Sequence, residues 1–196
     1  MKIKLLQRLE SVCILLCLAE VLLVILSWLL SAMRLDEVHS LLSSEGIRWF
    51  LGNFSSMLAS PWLVWLLLGL SALGCLQKSG VAAFRSSYRE RIALRVACFF
   101  LVSYLVVLAT LTLMPHAILL SAKGELFPSA FSRNLIPLGA FGCVLFSVTY
   151  GLMAGRLSSS GSVLNALSYG ISKGAPLIIL YILLMQFYES LRFVFG

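Results

Sequence analysis

The residue from which any chemistry in this chain has to start is Glu20, a carboxylate inside the apolar run 11–33. An ionised side chain at that depth in a bilayer is costly unless it is protonated, paired or facing water, which makes it a candidate relay for a proton or cation. Cys13, Cys17, Glu20, Val24, Ser27 and Ser31 recur every three or four residues. At about 100° per residue this spacing puts them in one narrow stripe of a helix, with Leu, Ile and Trp opposite. Such a stripe packs on other helices, so a second reading is a protonated Glu20 hydrogen-bonded within a bundle or placed in a subunit contact.

Gln186, in the apolar run 177–195, is the second intramembrane polar candidate, whereas Glu189 is close enough to the end of that run to reach water. Arg156 and Lys173 either contact anionic headgroups or substrate, or serve as the basic anchors common at helix ends. Gly151 and Gly155 form a G-x-x-x-G pair, as do Gly170 and Gly174. Gly69, Ser71, Ala72 and Gly74 thin the second half of a further run, so these glycines are expected to serve helix packing.

Other chemistries find little to work with. The stretch from Gly69 to Gly74 reads G-L-S-A-L-G, not the G-x-S-x-G of a nucleophile elbow, and there is no H-E-x-x-H or paired-carboxylate pattern. His39 and His116 lie in separate loops, and Cys13, Cys17, Cys75, Cys98 and Cys143 lack C-x-x-C spacing. The cysteines read as small buried hydrophobes, and neither a metal site nor a cofactor nor an enzyme is expected.

The elements that must position Glu20 and Gln186 follow from composition. The 196 residues are 60% hydrophobic and 12% charged, with a mean hydropathy of +0.99. That excludes an ordinary soluble domain. Several apolar runs approach the roughly 20 residues needed to cross a hydrocarbon core of about 30 Å. In lipid every backbone polar group must be satisfied within the structure, and the runs are continuous rather than alternating, so the expected fold is all-α and polytopic. The net charge of +7 sits between the runs, where it sets orientation; no nucleic-acid partner is implied.

Five spans are expected in a single membrane domain, at about 11–33, 61–76, 92–114, 135–157 and 177–195. A basic lead with Lys2, Lys4 and Arg8 precedes the first; the run is long, carries Glu20 and lacks a clean small-x-small ending, which disfavours a signal peptide. Around 45–57, Ile47, Phe50, Leu51 and Phe54 share an apolar face behind a Ser43 or Ser44 cap, with Trp49 at interface height. This predicts a short interfacial helix, after which Pro61 opens the second span as a first-turn proline. Pro115 closes the third span and a turn is expected at Lys123-Gly124. A second amphipathic piece, 163–173, leads to Pro176; whether it is continuous with the last span or breaks there is open.

Counting Lys and Arg on alternating sides places Lys2, Lys4, Arg8, Lys78, Arg85, Arg89, Arg91, Arg95, Arg156 and Lys173 on one side. Arg34, Arg48, Lys123, Arg133 and Arg192 fall on the other. The positive-inside rule then puts the N-terminus in the cytoplasm and, after five crossings of the inner membrane, the C-terminus outside.

One stretch adds a family. Leu41-Leu42-Ser43-Ser44-Glu45-Gly46-Ile47-Arg48-Trp49, followed by a glycine-bearing apolar run ending at Ser79-Gly80-Val81, resembles the aminobenzoyl-glutamate transporter family. Leu135-Ile136-Pro137-Leu138, then Tyr150-Gly151-Leu152 through Ala154-Gly155, is similar to a central helix of that family, and the following helix with Lys173 and Gln186-Phe187 resembles the next. The likeness extends over about two-thirds of the chain.

It implies a polytopic secondary carrier, usually dimeric, that moves aminobenzoyl-glutamate or sulfonamide-like aromatic acids on an ion gradient. Family members carry re-entrant hairpins between and after the matching stretches, and those elements are where irregular backbone meets ions and substrate. This chain passes from Gly80 through a basic loop directly to its third span. It therefore resembles a shortened framework, and no substrate residue carries over from the family. Two functions follow as expectations: a truncated carrier that works as a homodimer or with a partner membrane chain, or a non-transporting assembly or regulatory protein.

Overall fold

The computed structural model of the chain describes residues 2–33, 38–81, 87–113 and 134–196. Among the described residues all regular structure is helical. The long helices are α1 (Lys2–Ala32), α2 (Ser44–Leu58), α3 (Pro61–Ser79), α4 (Tyr88–Leu113), α5 (Leu135–Met153) and α6 (Ser160–Phe195). Five are long and apolar enough to cross a membrane, over Gln7–Ala32, Pro61–Ser79, Tyr88–Thr112, Leu135–Met153 and Ser160–Phe195. The chain is thus an all-α polytopic membrane protein, with α2 as a short additional helix. The expected turn at Lys123-Gly124, the closing Pro115, His116 and the orientation residues Arg34, Arg85, Lys123 and Arg133 lie outside the described residues.

The helices form two compact units, Met1–Leu63 with Ala175–Gly196, and Val64–Gly174. In the first, α1 turns Ile14, Leu15, Leu18, Val21, Leu22 and Ile25 outward, each more than half exposed as a lipid-facing side must be. The opposite stripe packs from Glu20 onward, while Cys17 is exposed. Ser27 is 1% exposed; its hydroxyl donates to the Val24 carbonyl at 2.8 Å and accepts from the Leu41 N–H at 3.3 Å, tying down the segment that leads into α2.

That segment explains the residue types of the Leu41–Trp49 phrase. Ser43 caps α2 by accepting from the Gly46 N–H at 3.0 Å, satisfying one of the free donors of the first turn. A Cβ on Gly46 would lie 2.5 Å from the Ser40 carbonyl, so a glycine is what lets the turn fold back on the helix. Trp49 stacks on Phe193 of α6 with ring centroids 4.3 Å apart. The His39 N–H donates to the Val194 carbonyl at 3.1 Å, and Leu23, Leu41 and Val194 form the local core. Ser60 then turns the chain into α3, its carbonyl accepting from the Leu63 N–H at 3.2 Å across the first-turn Pro61. The Ser60 hydroxyl is hydrogen-bonded to the Tyr181 hydroxyl of α6.

In the second unit α3 and the first half of α6 meet backbone to backbone. A Cβ on Gly74 would collide with the backbone of Gly170, one on Gly170 with the Leu70 carbonyl, and one on Gly174 with the Leu70 side chain. These pairings run in opposite chain directions, so the two helices are antiparallel. So are α4 and α5, where the Tyr104 hydroxyl donates to the Leu138 carbonyl at 2.9 Å and Ala93, Ala97 and Tyr150 are fully buried together. In the first unit α1 and α6 run the same way, since Glu20 meets Ser190 and Leu23 packs near Val194.

One boundary differs from expectation. The span expected to reach 157 ends at Met153, because Gly155 takes a left-handed φ of +75° and the Arg156 and Leu157 N–H groups turn back to the Gly151 carbonyl at 2.9 and 3.0 Å. This is a glycine-terminated helix end, in which Leu157 folds over the last turn. The alternative left open at Pro176 is decided in favour of continuity: α6 runs unbroken for 36 residues through that proline. A proline inside a helix removes one hydrogen bond, which a packed membrane helix tolerates. At 1.5 Å per residue α6 is roughly 54 Å long, well beyond a hydrocarbon core of about 30 Å.

Candidate functional site

Glu20 and Gln186, singled out separately in sequence, line one pocket in the first unit. It has a volume of about 280 Å³ and is bounded by Glu20 and Val24 of α1, Leu41 and Leu42 of the preceding turn, Ile47, Phe50 and Leu51 of α2, and Gln186 and Ser190 of α6. The amphipathic face of α2 is therefore its apolar wall. Gln186 and Ser190 are four residues apart and so share a helix face toward α1.

The electrostatics are those of one carboxyl group with a single anchor. The Ser190 hydroxyl, 1% exposed, donates to Glu20 Oε1 at 2.7 Å. Glu20 Oε2 is buried and has no hydrogen-bond partner. A buried oxygen left in that state costs about 1–3 kcal/mol, and more if it is charged. Gln186 adds an amide that both donates and accepts. Among the described residues lining the pocket, Glu20 is the one ionisable group and none is basic. The arrangement suits a cation or a proton, and offers nothing to balance a carboxylate.

The remaining candidates are placed elsewhere. Glu189, half-buried, lies 4.0 Å from the exposed Arg192 one turn on. Gly74 is in the close contact with Gly170, whereas a Cβ on Gly69 would meet nothing within 4 Å. Gly151 makes room for Leu157, and Gly155 lies beyond the helix rather than on its face, so the two do not form one packing surface.

Arg156 is occupied: its guanidinium donates to the Gly80 carbonyl at 3.1 Å and pairs with Glu90 at 2.8 Å. Arg89 makes the matching contact at the end of α5, Nε donating to the Met153 carbonyl at 3.2 Å. Each of these helix C-termini, carrying partial negative charge, thus holds a guanidinium beside a glycine of positive φ, +73° at Gly80 and +75° at Gly155. Reading residues alone missed Ser190 and the capping role of the two arginines. The i, i+4 spacing of Gln186 and Ser190 was the available signal for the first.

A second cavity of about 270 Å³ lies among α3, α4 and α5, lined by Leu101, Tyr104, Leu108, Leu138 and Cys143 among others, and is almost wholly apolar. Among the described residues, no three His, Cys, Asp or Glu side chains come together as a metal site would require. Comparison with protein-family models, with curated proteins and with solved structures gives no match.

Proposed function

We propose that this chain is the framework of an ion-coupled membrane carrier of the aminobenzoyl-glutamate transporter type, in which the Glu20 pocket handles the coupling proton or cation. The observation that carries the reading is the buried, unpartnered Oε2 of Glu20 beside Gln186, between the first and last membrane helices of one unit. An apolar site with a single carboxyl group supports binding of a positive charge, and the resemblance of 41–81 and 135–155 supports a cargo of aromatic amino-acid conjugates or related drugs. Such a cargo is anionic and would need basic groups from outside this pocket, which a homodimer or a partner membrane chain supplies. The asymmetry of Lys and Arg supports insertion in the inner membrane with the N-terminus in the cytoplasm and the C-terminus outside.

A second reading, a non-transporting assembly or regulatory protein, is favoured by the absence of basic residues among the described residues lining the pocket. Uptake of labelled aminobenzoyl-glutamate into liposomes containing the purified protein, under an imposed proton or sodium gradient, separates the two. Flux that follows the gradient supports the carrier, and its absence at every protein density supports the alternative.

A further inference from the structure

Lys78 ends the apolar helix α3, and Lys173 interrupts the apolar part of α6. The antiparallel contact of Gly74 with Gly170 has no side chain between the backbones, and it brings the flanking side chains of the next turns onto one another. Tyr169, next to Gly170, takes Lys78 over its ring with Nζ 4.5 Å from the centroid. Lys173, one turn along α6, lies 5.8 Å from the same centroid, and its Nζ donates to Gln77 Oε1 at 2.6 Å. Side chains on a helix lean toward its N-terminus, which carries the Lys173 ammonium from within α6 back to the level of the α3 end.

Two full positive charges are therefore held around one aromatic ring. Among the described residues neither is paired with a carboxylate. Cation–π contacts and an amide orient the ammonium groups without neutralising them. Each ammonium has three N–H donors, of which Lys173 spends one on Gln77. Leu73, 56% exposed and one turn before Gln77, continues the same face toward the hydrocarbon.

We propose that Gln77, Lys78, Tyr169 and Lys173 bind the phosphate of an anionic phospholipid, the two ammonium groups bracketing the headgroup while an acyl chain lies along Leu73. A lipid is favoured over a soluble phosphate because the charges sit at the end of a membrane helix with exposed apolar surface directly beneath them.

The test uses the full chain purified in detergent, with phosphatidylglycerol and phosphatidylcholine titrated and retained lipid read by native mass spectrometry. The wild type retains phosphatidylglycerol preferentially. The preference falls roughly fivefold for each lysine in K78Q and K173Q, while K78R/K173R keeps it and helical circular dichroism is unchanged throughout. Wild-type preference surviving in K78Q/K173Q overturns the proposal. So does displacement of phosphatidylglycerol by an equal concentration of inorganic phosphate, which would assign a soluble anion instead.

Discussion

The Ser190 hydroxyl donates a 2.7 Å hydrogen bond to Glu20 Oε1, joining the first and last membrane helices. Ser190→Ala removes the donor and leaves both carboxyl oxygens of Glu20 without a partner. The expected cost is about 1–3 kcal/mol, seen as a lower thermal midpoint of the detergent-solubilised protein. Glu20→Gln keeps an acceptor for Ser190 and is expected to express and remain monodisperse. Unfolding of that variant in detergent would instead indicate an ionic pair at Glu20.

The glycines of α3 and of its contact with α6 separate cleanly. Gly74→Ala forces a Cβ into the backbone of Gly170, and Gly170→Ala forces one into the Leu70 carbonyl. Either is expected to destabilise by about 1–3 kcal/mol through overpacking. Gly69→Ala meets nothing within 4 Å and is expected to stabilise by up to about 1 kcal/mol, the gain in helix propensity. Thermal midpoints of the three variants, measured in one detergent, give the comparison.

At the end of α3, Gly80→Ala meets two obstacles, a φ of +73° and the Arg156 guanidinium where the Cβ must go. The left-handed backbone alone costs about 1–2 kcal/mol. Arg156→Ala followed by Gly80→Ala is expected to cost less than the sum of the separate changes, because removing the guanidinium opens the space. A double-mutant cycle of unfolding free energies checks this, and strict additivity would show that the two residues are uncoupled.

The stack of Trp49 on Phe193, 4.3 Å between centroids, fastens α2 over the Glu20 pocket. Phe193→Leu is expected to lose about 0.5–1.5 kcal/mol of aromatic contact. The loss should appear as faster amide exchange across 44–58, with α4 and α5 unaffected.

Long apolar runs are read easily from sequence because the bilayer allows so few structures, and the Ser43-Ser44 pair and Pro61 mark the starts of α2 and α3 through local chemistry alone. Pro176 and Gly155 are harder. The first is compatible with a break or a through-helix, and packing decides; the second forms a G-x-x-x-G with Gly151 in sequence but acts as a helix terminator, because Leu157 folds back and Arg89 covers the end. The pairing of Glu20 with Ser190 joins residues 170 positions apart, so only the fold brings them together. The polarity of Glu20 and Gln186 inside apolar runs was visible, whereas their shared pocket depends on how α1, α2 and α6 assemble.

The most direct measurement of the central claim is gradient-driven uptake of labelled aminobenzoyl-glutamate by wild-type protein and E20Q, reconstituted at matched density in sealed liposomes. Uptake that follows the imposed ion gradient in the wild type and collapses in a correctly folded E20Q is the expected result. Wild-type flux indifferent to the gradient, or an E20Q variant that transports as well as the wild type, would contradict it.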